Sequence, residues 1–122
     1  MTRGARGEGL ARRHRFSIQG SFGAVLRSPR KFRGAGAILH VASGTPGMSR
    51  LGIALTRRLL PRAVDRNRVK RIVREAFRRH AAKAAGLDLV FAVRERPDTG
   101  RGSAWPAEVR QALDRVLEKA GR

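Results

Sequence analysis

The chain has 122 residues, which suffice for one domain with one hydrophobic core but not for two. Its 28 lysine and arginine residues against 9 acidic residues give a formal net charge of +19 at pH 7, which indicates a polyanionic partner. The absence of cysteine excludes disulfides and thiolate metal sites, and no apolar run is long enough to cross a membrane. No apolar segment follows the Arg12-Arg13 pair as it would in an export signal, so we expect a cytoplasmic protein with no membrane contact.

Residues 1–14 are rich in glycine and arginine and poor in apolar side chains, which predicts a disordered basic arm. Residues 15–122 are expected to form the single domain. Its first predicted element is a short helix from Gln19 to Arg27, with Phe22 and Leu26 on one side.

Three strands are predicted next, over Arg30–Gly34, Gly36–Ser43 and Arg50–Arg57. The third alternates cleanly, so that its large apolar side chains point one way while the small residues Gly52 and Ala54 point the other. A face this small either lies beneath a helix or forms the floor of a groove that an extended polymer approaches closely. The pattern leaves both interpretations open.

The next helix carries the strongest signal in the chain. It begins at Pro61, or after a cap at Asp65, and is predicted to end near Ala85, before Gly86. Its apolar residues recur at helical spacing and form one stripe: Val69, Ile72, Val73, Ala76, Phe77 and His80. The opposite side carries Asn67, Lys70, Arg71, Arg74 and Arg78. Like charges at this spacing repel each other, so we expect a bound polyanion to offset the repulsion.

A nearly continuous apolar run over Asp88–Glu95 predicts a strand in the centre of the sheet. A loop over Arg96–Ser103 leads to the last predicted helix, Trp105–Lys119. The order of a helix, three strands, the long basic helix, a strand and a helix predicts an α/β (α+β) two-layer sandwich.

The sequence contains no recognisable catalytic or metal-binding constellation. Its acidic residues are scattered singly, whereas hydrolysis with two metal ions needs clustered carboxylates. His14, His40 and His80 are far apart and fit no metal-ligand spacing. Because His80 belongs to the apolar stripe, we expect its side chain to lie in the core or at the edge of the core. We therefore expect a protein with no catalytic residue and no metal site of its own.

The segment Arg66–Arg78 reads RNRVKRIVREAFR and resembles the R-N-x-x-K-R-x-x-R-E-x-F-R signature of the bacterial ribonuclease P protein component. Every defined position is filled, and the resemblance extends from about Arg15 to Lys119. It implies a subunit that assists an RNA enzyme in removing the 5′ leader of precursor tRNA. In that family the RNA performs the hydrolysis with Mg²⁺ held by the RNA and the substrate phosphates. The resemblance also implies a left-handed crossover between the strands that the basic helix joins.

The resemblance further implies two binding sites. Contacts to the RNA subunit are expected from Arg57, Arg58, Arg66, Asn67, Arg68, Lys70, Arg71 and Arg74. Arginine suits this role because its guanidinium binds phosphate bidentately and stays charged. A cleft between the first helix and the sheet is expected to bind the single-stranded leader through Phe22, Leu26 and His40, although position 26 is usually aromatic in the family. Trp105 either lines this groove or, as we favour, anchors the last helix.

Two other functions compete with this one. A structural RNA-binding protein of the ribosomal type would carry the same basic helix without a role in processing. A DNA-binding module would insert the helix into a major groove, but no helix-turn-helix spacing precedes it. The signature and the leader cleft distinguish the favoured function from both.

Overall fold

The structure is a computed structural model that describes residues 21–120, apart from the side chains of Ser21, Phe22 and Ala120. The arm predicted over residues 1–14 lies outside this range. The elements in chain order are α1 (Ser21–Leu26), β1 (Lys31–Gly34), β2 (Ala37–Ser43), β3 (Arg50–Ala54), α2 (Ala63–Arg78), a 3₁₀ turn (Ala81–Ala84), β4 (Leu87–Val93) and α3 (Trp105–Ala120). The predicted α+β fold class is confirmed. No helix within residues 21–120 is long and apolar enough to cross a membrane.

The four strands form one sheet in the order β1-β2-β4-β3. β2 is antiparallel to both β1 and β4, whereas β3 and β4 are parallel neighbours joined through α2. β4 therefore has a strand on each side, and Leu89 pairs with Val41 of β2 and Leu51 of β3. All seven residues of β4 are buried, so the predicted central strand is confirmed.

α2 and α3 cover one face of the sheet, here called the first face, and enclose the main core. Phe77 of α2 and Leu113 of α3 are fully buried in the same cluster as Leu39, Leu89 and Phe91 of the sheet. Burying one such side chain contributes about 1.5–3 kcal/mol. This cluster fixes α2 on the sheet and determines which side of the helix faces solvent.

α1 packs on the opposite face, here called the second face. Val25 of α1 and Val90 of β4 are buried there, at 2% and 0% exposure. Leu26, Ala42 and Ala54 are partly buried around them. The small side predicted for the third strand thus belongs to the second face. Since α1 has only six residues, residues 21–120 cover only part of this face with helix.

The start of α2 differs from both predicted alternatives. The helix begins at Ala63, and its N-cap is Arg62, whose backbone is extended and whose side chain makes no capping hydrogen bond. The predicted Asp65 cap was wrong, because Pro61 and Arg62 already lead the chain into the helix two residues earlier. Asp65 lies in the first turn, where a negative charge is favourable to the helix dipole. Its carboxylate lies 3.5 Å from the guanidinium of Arg96.

The predicted end of α2 near Ala85 was also wrong, since the helix ends at Arg78. His80 has an extended backbone, and its Nδ1 accepts a hydrogen bond from the backbone N–H of Ala82 at 2.9 Å, which caps the 3₁₀ turn. Its Nε2 lies 2.6 Å from a carboxylate oxygen of Asp114 on α3. This tertiary contact overrides the helix propensity of the alanine-rich segment.

Trp105 anchors the start of α3. Its side chain lies on the first face, and the residue is only 5% exposed. The indole N–H donates to the carbonyl of Ala35 at 2.8 Å, and the ring meets Phe91 edge-on with 6.2 Å between ring centroids. The alternative in which Trp105 lines a groove with α1 is therefore excluded, because α1 lies on the other side of the sheet.

Candidate RNA-binding surfaces

α2 presents one basic side to solvent because its apolar stripe faces the core. Val69, Val73, Ala76 and Phe77 are buried, as their spacing predicted. The outer residues are called the basic face of α2: Asn67, Arg68, Lys70, Arg71 and Arg74. Two of these side chains, Lys70 and Arg74, are half-buried. The other three are exposed, namely Asn67, Arg68 and Arg71. The structure thus places five of the eight predicted RNA-subunit contacts on one continuous surface.

Glu75 is the acidic residue closest to this surface. Its carboxylate accepts two hydrogen bonds from Arg78, at 3.1 and 2.6 Å, and one from Arg79 at 2.6 Å. The pKa of Glu75 is lowered mainly by the hydrogen bond from Arg78, and Arg79 lowers it further. Glu75 therefore stays ionised and partly neutralises the positive charge at the end of α2.

Arg66 has a structural role beside any role in binding. Its Nη1 donates to the carbonyls of Leu60 and Pro61, at 2.9 and 2.8 Å, and so fixes the loop that enters α2. The same loop carries Arg57 and Arg58, which are both exposed. The predicted basic pair is thereby held close to the start of the basic helix.

β3 ends at Ala54 and does not extend to Arg57 as predicted. The chain turns away from the sheet there, because the hydroxyl of Thr56 accepts a hydrogen bond from the backbone N–H of Leu59 at 3.2 Å. The residues after Ala54 therefore do not continue the strand ladder with β4.

A pocket of about 550 Å³ opens where the parallel strands β3 and β4 end. Crevices at the carboxyl ends of parallel strands are common ligand sites in α/β proteins. Three predicted contact residues line this pocket, Arg57, Arg66 and Lys70, together with Arg94, which the sequence did not single out. Ala54 and Ala92 of the second face line it as well. The pocket therefore joins the basic face of α2 to the second face of the sheet.

The second face carries small and basic side chains in cross-strand rows. One row runs through Lys31, His40, Val90 and Gly52, as the strand register requires. The neighbouring row has two alanines, on β4 and β3, beside the larger side chains of β2 and β1. Small residues on β3 and β4, at one side of the sheet, let an extended chain approach the backbone closely.

His40 lies half-buried on this face. Its Nδ1 is buried and has no hydrogen-bond partner among residues 21–120. The pKa of His40 is lowered mainly by burial, and the nearby charges of Lys31 and Arg94 lower it further. The ring is therefore mostly neutral at pH 7.

The other two predicted leader-binding residues lie in α1. Leu26 is partly buried against the second face, close to Val25 and Val90. Phe22 lies in the same helix, and its side chain is outside the described part of the structure. The structure thus brings Leu26 and His40 to the same face of the sheet, and the family role of both residues stays a prediction.

Within residues 21–120, no group of three or more histidine or acidic side chains is arranged to hold a metal ion. Three acidic residues next to the described surfaces are paired with arginines: Asp65, Glu75 and Asp88.

The fold and these surfaces define an α+β protein that carries an arginine-rich helix beside a partly open sheet face. The family model of Ribonuclease P matches residues 10–121 of this chain. The Ribonuclease P protein component of Alcanivorax borkumensis is 32% identical over 113 residues, which cover 92% of this chain and 93% of that protein. The same component of Thioalkalivibrio sulfidiphilus is 36% identical and covers 88% of this chain and 87% of its own length.

Two solved structures have the same fold. The RNase P protein of Thermotoga maritima matches with a TM-score of 0.65 and 25% identity, covering 88% of this chain and 97% of that one. The RNase P protein of Staphylococcus aureus matches with a TM-score of 0.66 and 22% identity, covering 88% and 94%. The chain belongs to the ribonuclease P protein family. It is a protein subunit of ribonuclease P, a ribonucleoprotein of tRNA processing, and the ribosomal-type alternative is not favoured.

Proposed function

We propose that this subunit binds the catalytic RNA of ribonuclease P through the basic face of α2 and binds the 5′ leader of precursor tRNA on the second face of the sheet. The RNA performs the hydrolysis, with Mg²⁺ held by the RNA and the substrate phosphates. The protein acts in the cytoplasm and supplies binding energy and positive charge. Fixed guanidinium groups screen the repulsion between the phosphates of the two RNAs and so raise the effective affinity for Mg²⁺.

The pocket at the ends of β3 and β4 is the observation that carries this proposal. It has Arg57, Arg66 and Lys70 on one side, and these match family positions for the RNA subunit. On its other side lie Ala92 and Arg94, next to the small residues on which a single strand can lie. A leader bound on the second face would therefore run towards the RNA subunit along a basic path.

The neutral His40 supports the same path. His40 is partly exposed, and its planar ring can stack on a base. The adjacent Lys31 is exposed and can neutralise a phosphate of the same strand. These are sequence-tolerant contacts, which suit a leader whose sequence differs from one precursor to the next.

Arg94→Gln tests this proposal in the reconstituted holoenzyme. Arg94 is exposed, so the variant should fold normally. Binding of precursor tRNA should weaken and its salt dependence should flatten by about one unit of slope, because one phosphate contact is lost. Binding of mature tRNA, which has no leader, should not change. Arg101→Gln removes the same charge from an exposed loop outside the pocket and is the matched control. Equal weakening towards both RNAs would contradict leader binding at this place.

A further inference from the structure

A second pocket, of about 390 Å³, lies between α2 and the first turns of α3. Its apolar floor is formed by Ile72 and Ala76 of α2 and by Pro106 of α3. Ala76 is only 8% exposed, and Ile72 packs against the main core. The core therefore holds the floor in place. The volume lies within the range of about 300–1,000 Å³ that is typical of pockets for small ligands.

Arginines surround this apolar floor. Arg71 and Arg79 come from α2 and its end, and Arg110 comes from α3 on the opposite wall. All three are exposed. Arg110 lies outside the signature segment, so the family resemblance gives it no role. Glu75 also lines the pocket, and its carboxylate stays ionised because Arg78 and Arg79 donate to it.

We infer that this pocket binds one unstacked nucleobase of the RNA that α2 contacts, with Arg71 and Arg110 at the flanking phosphates. The inference rests on the proposed binding of RNA by α2, because Arg71 belongs both to the basic face and to the rim of the pocket. Unstacked bases are bound in proteins by packing on planar side chains, including guanidinium groups, and by hydrogen bonds to their edges. The apolar floor can pack against the base, and the surrounding arginines can bind the phosphates on either side of it.

Glu75 gives the pocket a preference among bases. A carboxylate accepts hydrogen bonds and cannot donate them, so it favours a base that presents an amino group. Guanine, adenine and cytosine fit this requirement, whereas uracil has no amino group and presents carbonyl oxygens at the same edge. The compact volume suits one planar base better than a protein helix, and the three rim arginines attract phosphate. The occupant is therefore a nucleotide with an exocyclic amino group, in a loop or bulge of the RNA subunit.

Dimethyl sulfate and kethoxal probing of ribonuclease P RNA, with and without the protein, tests the inference. Dimethyl sulfate methylates exposed Watson–Crick edges of adenine and cytosine, and kethoxal reacts with the same edge of guanine. The wild-type protein should protect one unpaired adenine, cytosine or guanine that becomes reactive again with Arg110→Gln and with Ile72→Ala. Affinity for the RNA should fall with Ile72→Ala by about 4-fold for each CH₂ group that no longer contacts the base. Arg101→Gln, with the same change of charge outside the pocket, should leave both the protection and the affinity unchanged.

The outcomes separate this inference from the proposed function. If Arg68→Ala weakens RNA binding while Arg110→Gln and Ile72→Ala leave every protected base protected, the pocket does not hold a base and the basic face still binds RNA. If Arg68→Ala has no effect, the proposed binding surface itself is wrong. Because Arg110 is exposed, Arg110→Gln keeps the test valid even where Ile72→Ala lowers stability. A change confined to binding of a protein partner or to self-association would also overturn the inference.

Discussion

Asp88 on β4 and Arg50 on β3 form a bidentate ion pair on the second face, with Nε–Oδ1 at 3.0 Å and Nη2–Oδ2 at 2.8 Å. The Asp88 side chain is 9% exposed and that of Arg50 is 30% exposed. The hydrogen bond to Asp88 is the main cause that raises the pKa of Arg50. The pair joins the two parallel strands at the end of the sheet opposite to the basic pocket.

Asp88→Asn should destabilise the fold by about 1–3 kcal/mol, because a largely buried, charge-assisted pair is weakened and Arg50 stays half-buried. The shift in the urea unfolding midpoint measures this loss. A double-mutant cycle with Arg50→Gln isolates the interaction between the two side chains. A coupling energy near zero would show that the pair contributes nothing to stability.

Binding of ribonuclease P RNA should depend strongly on salt. Each neutralised phosphate contributes about −0.7 to −0.9 to the slope of log K against log salt concentration. With four or more phosphate contacts from the predicted residues, the slope should be about −3 or steeper. Arg68→Ala combined with Arg71→Ala should flatten it by about one to two units. An unchanged slope would mean that these two arginines face solvent in the complex.

Substitutions in α1 should act on the leader. Phe22→Ala should weaken binding of precursor tRNA by about 5- to 150-fold and barely affect mature tRNA, as expected for one lost stacked base. Leu26→Phe should strengthen precursor binding by about 1 kcal/mol, because an aromatic ring replaces an aliphatic side chain on the second face. Both are measured in the same holoenzyme, with a melting curve for each variant. Equal weakening towards both tRNAs, with a large loss of stability, would show that Phe22 only packs.

Stability should depend on pH through His40. Its pKa in the folded protein is lowered by burial and by Lys31 and Arg94, from an ordinary value of 6.5. Between the lowered pKa and 6.5, the unfolded chain binds a proton that the folded chain does not. Stability is therefore fully present above pH 6.5 and falls as the pH is lowered through this window.

His40→Gln should remove this part of the pH dependence, which urea unfolding at pH 5 and pH 7.5 measures. Lys31→Gln should raise the pKa of His40, followed by the ring signals of His40 in an NMR titration, because one nearby positive charge is lost. The same loss of stability on acidification in wild type and His40→Gln would contradict a role for this group.

The spacing of apolar residues along the chain was sufficient to predict the helices and strands that bury a regular set of apolar side chains. The burial of Val69, Val73 and Phe77 follows from spacing alone, as does the central position of β4. The ends of α2 could not be predicted in this way. The contact of His80 with Asp114 joins residues 34 positions apart, and it breaks a segment whose composition favours helix.

The signature identified the basic face of α2 because its residues are close together in sequence. Arg94 gave no such signal, since it is a single arginine that follows an apolar strand. Its place beside Arg57 and Lys70 depends on β3 and β4 being parallel neighbours, which only the sheet order shows. The same holds for Arg110, which reaches the rim of the second pocket because α3 packs next to α2.

Cleavage of precursor tRNA at low Mg²⁺ tests the central claim most directly. The protein, a bacterial ribonuclease P RNA, and the two combined are each incubated with the same precursor. We predict no cleavage by the protein alone, little by the RNA alone at this Mg²⁺ concentration, and efficient removal of the 5′ leader by the two together. Cleavage by the protein without RNA, or no gain when it is added to the RNA, would contradict the account.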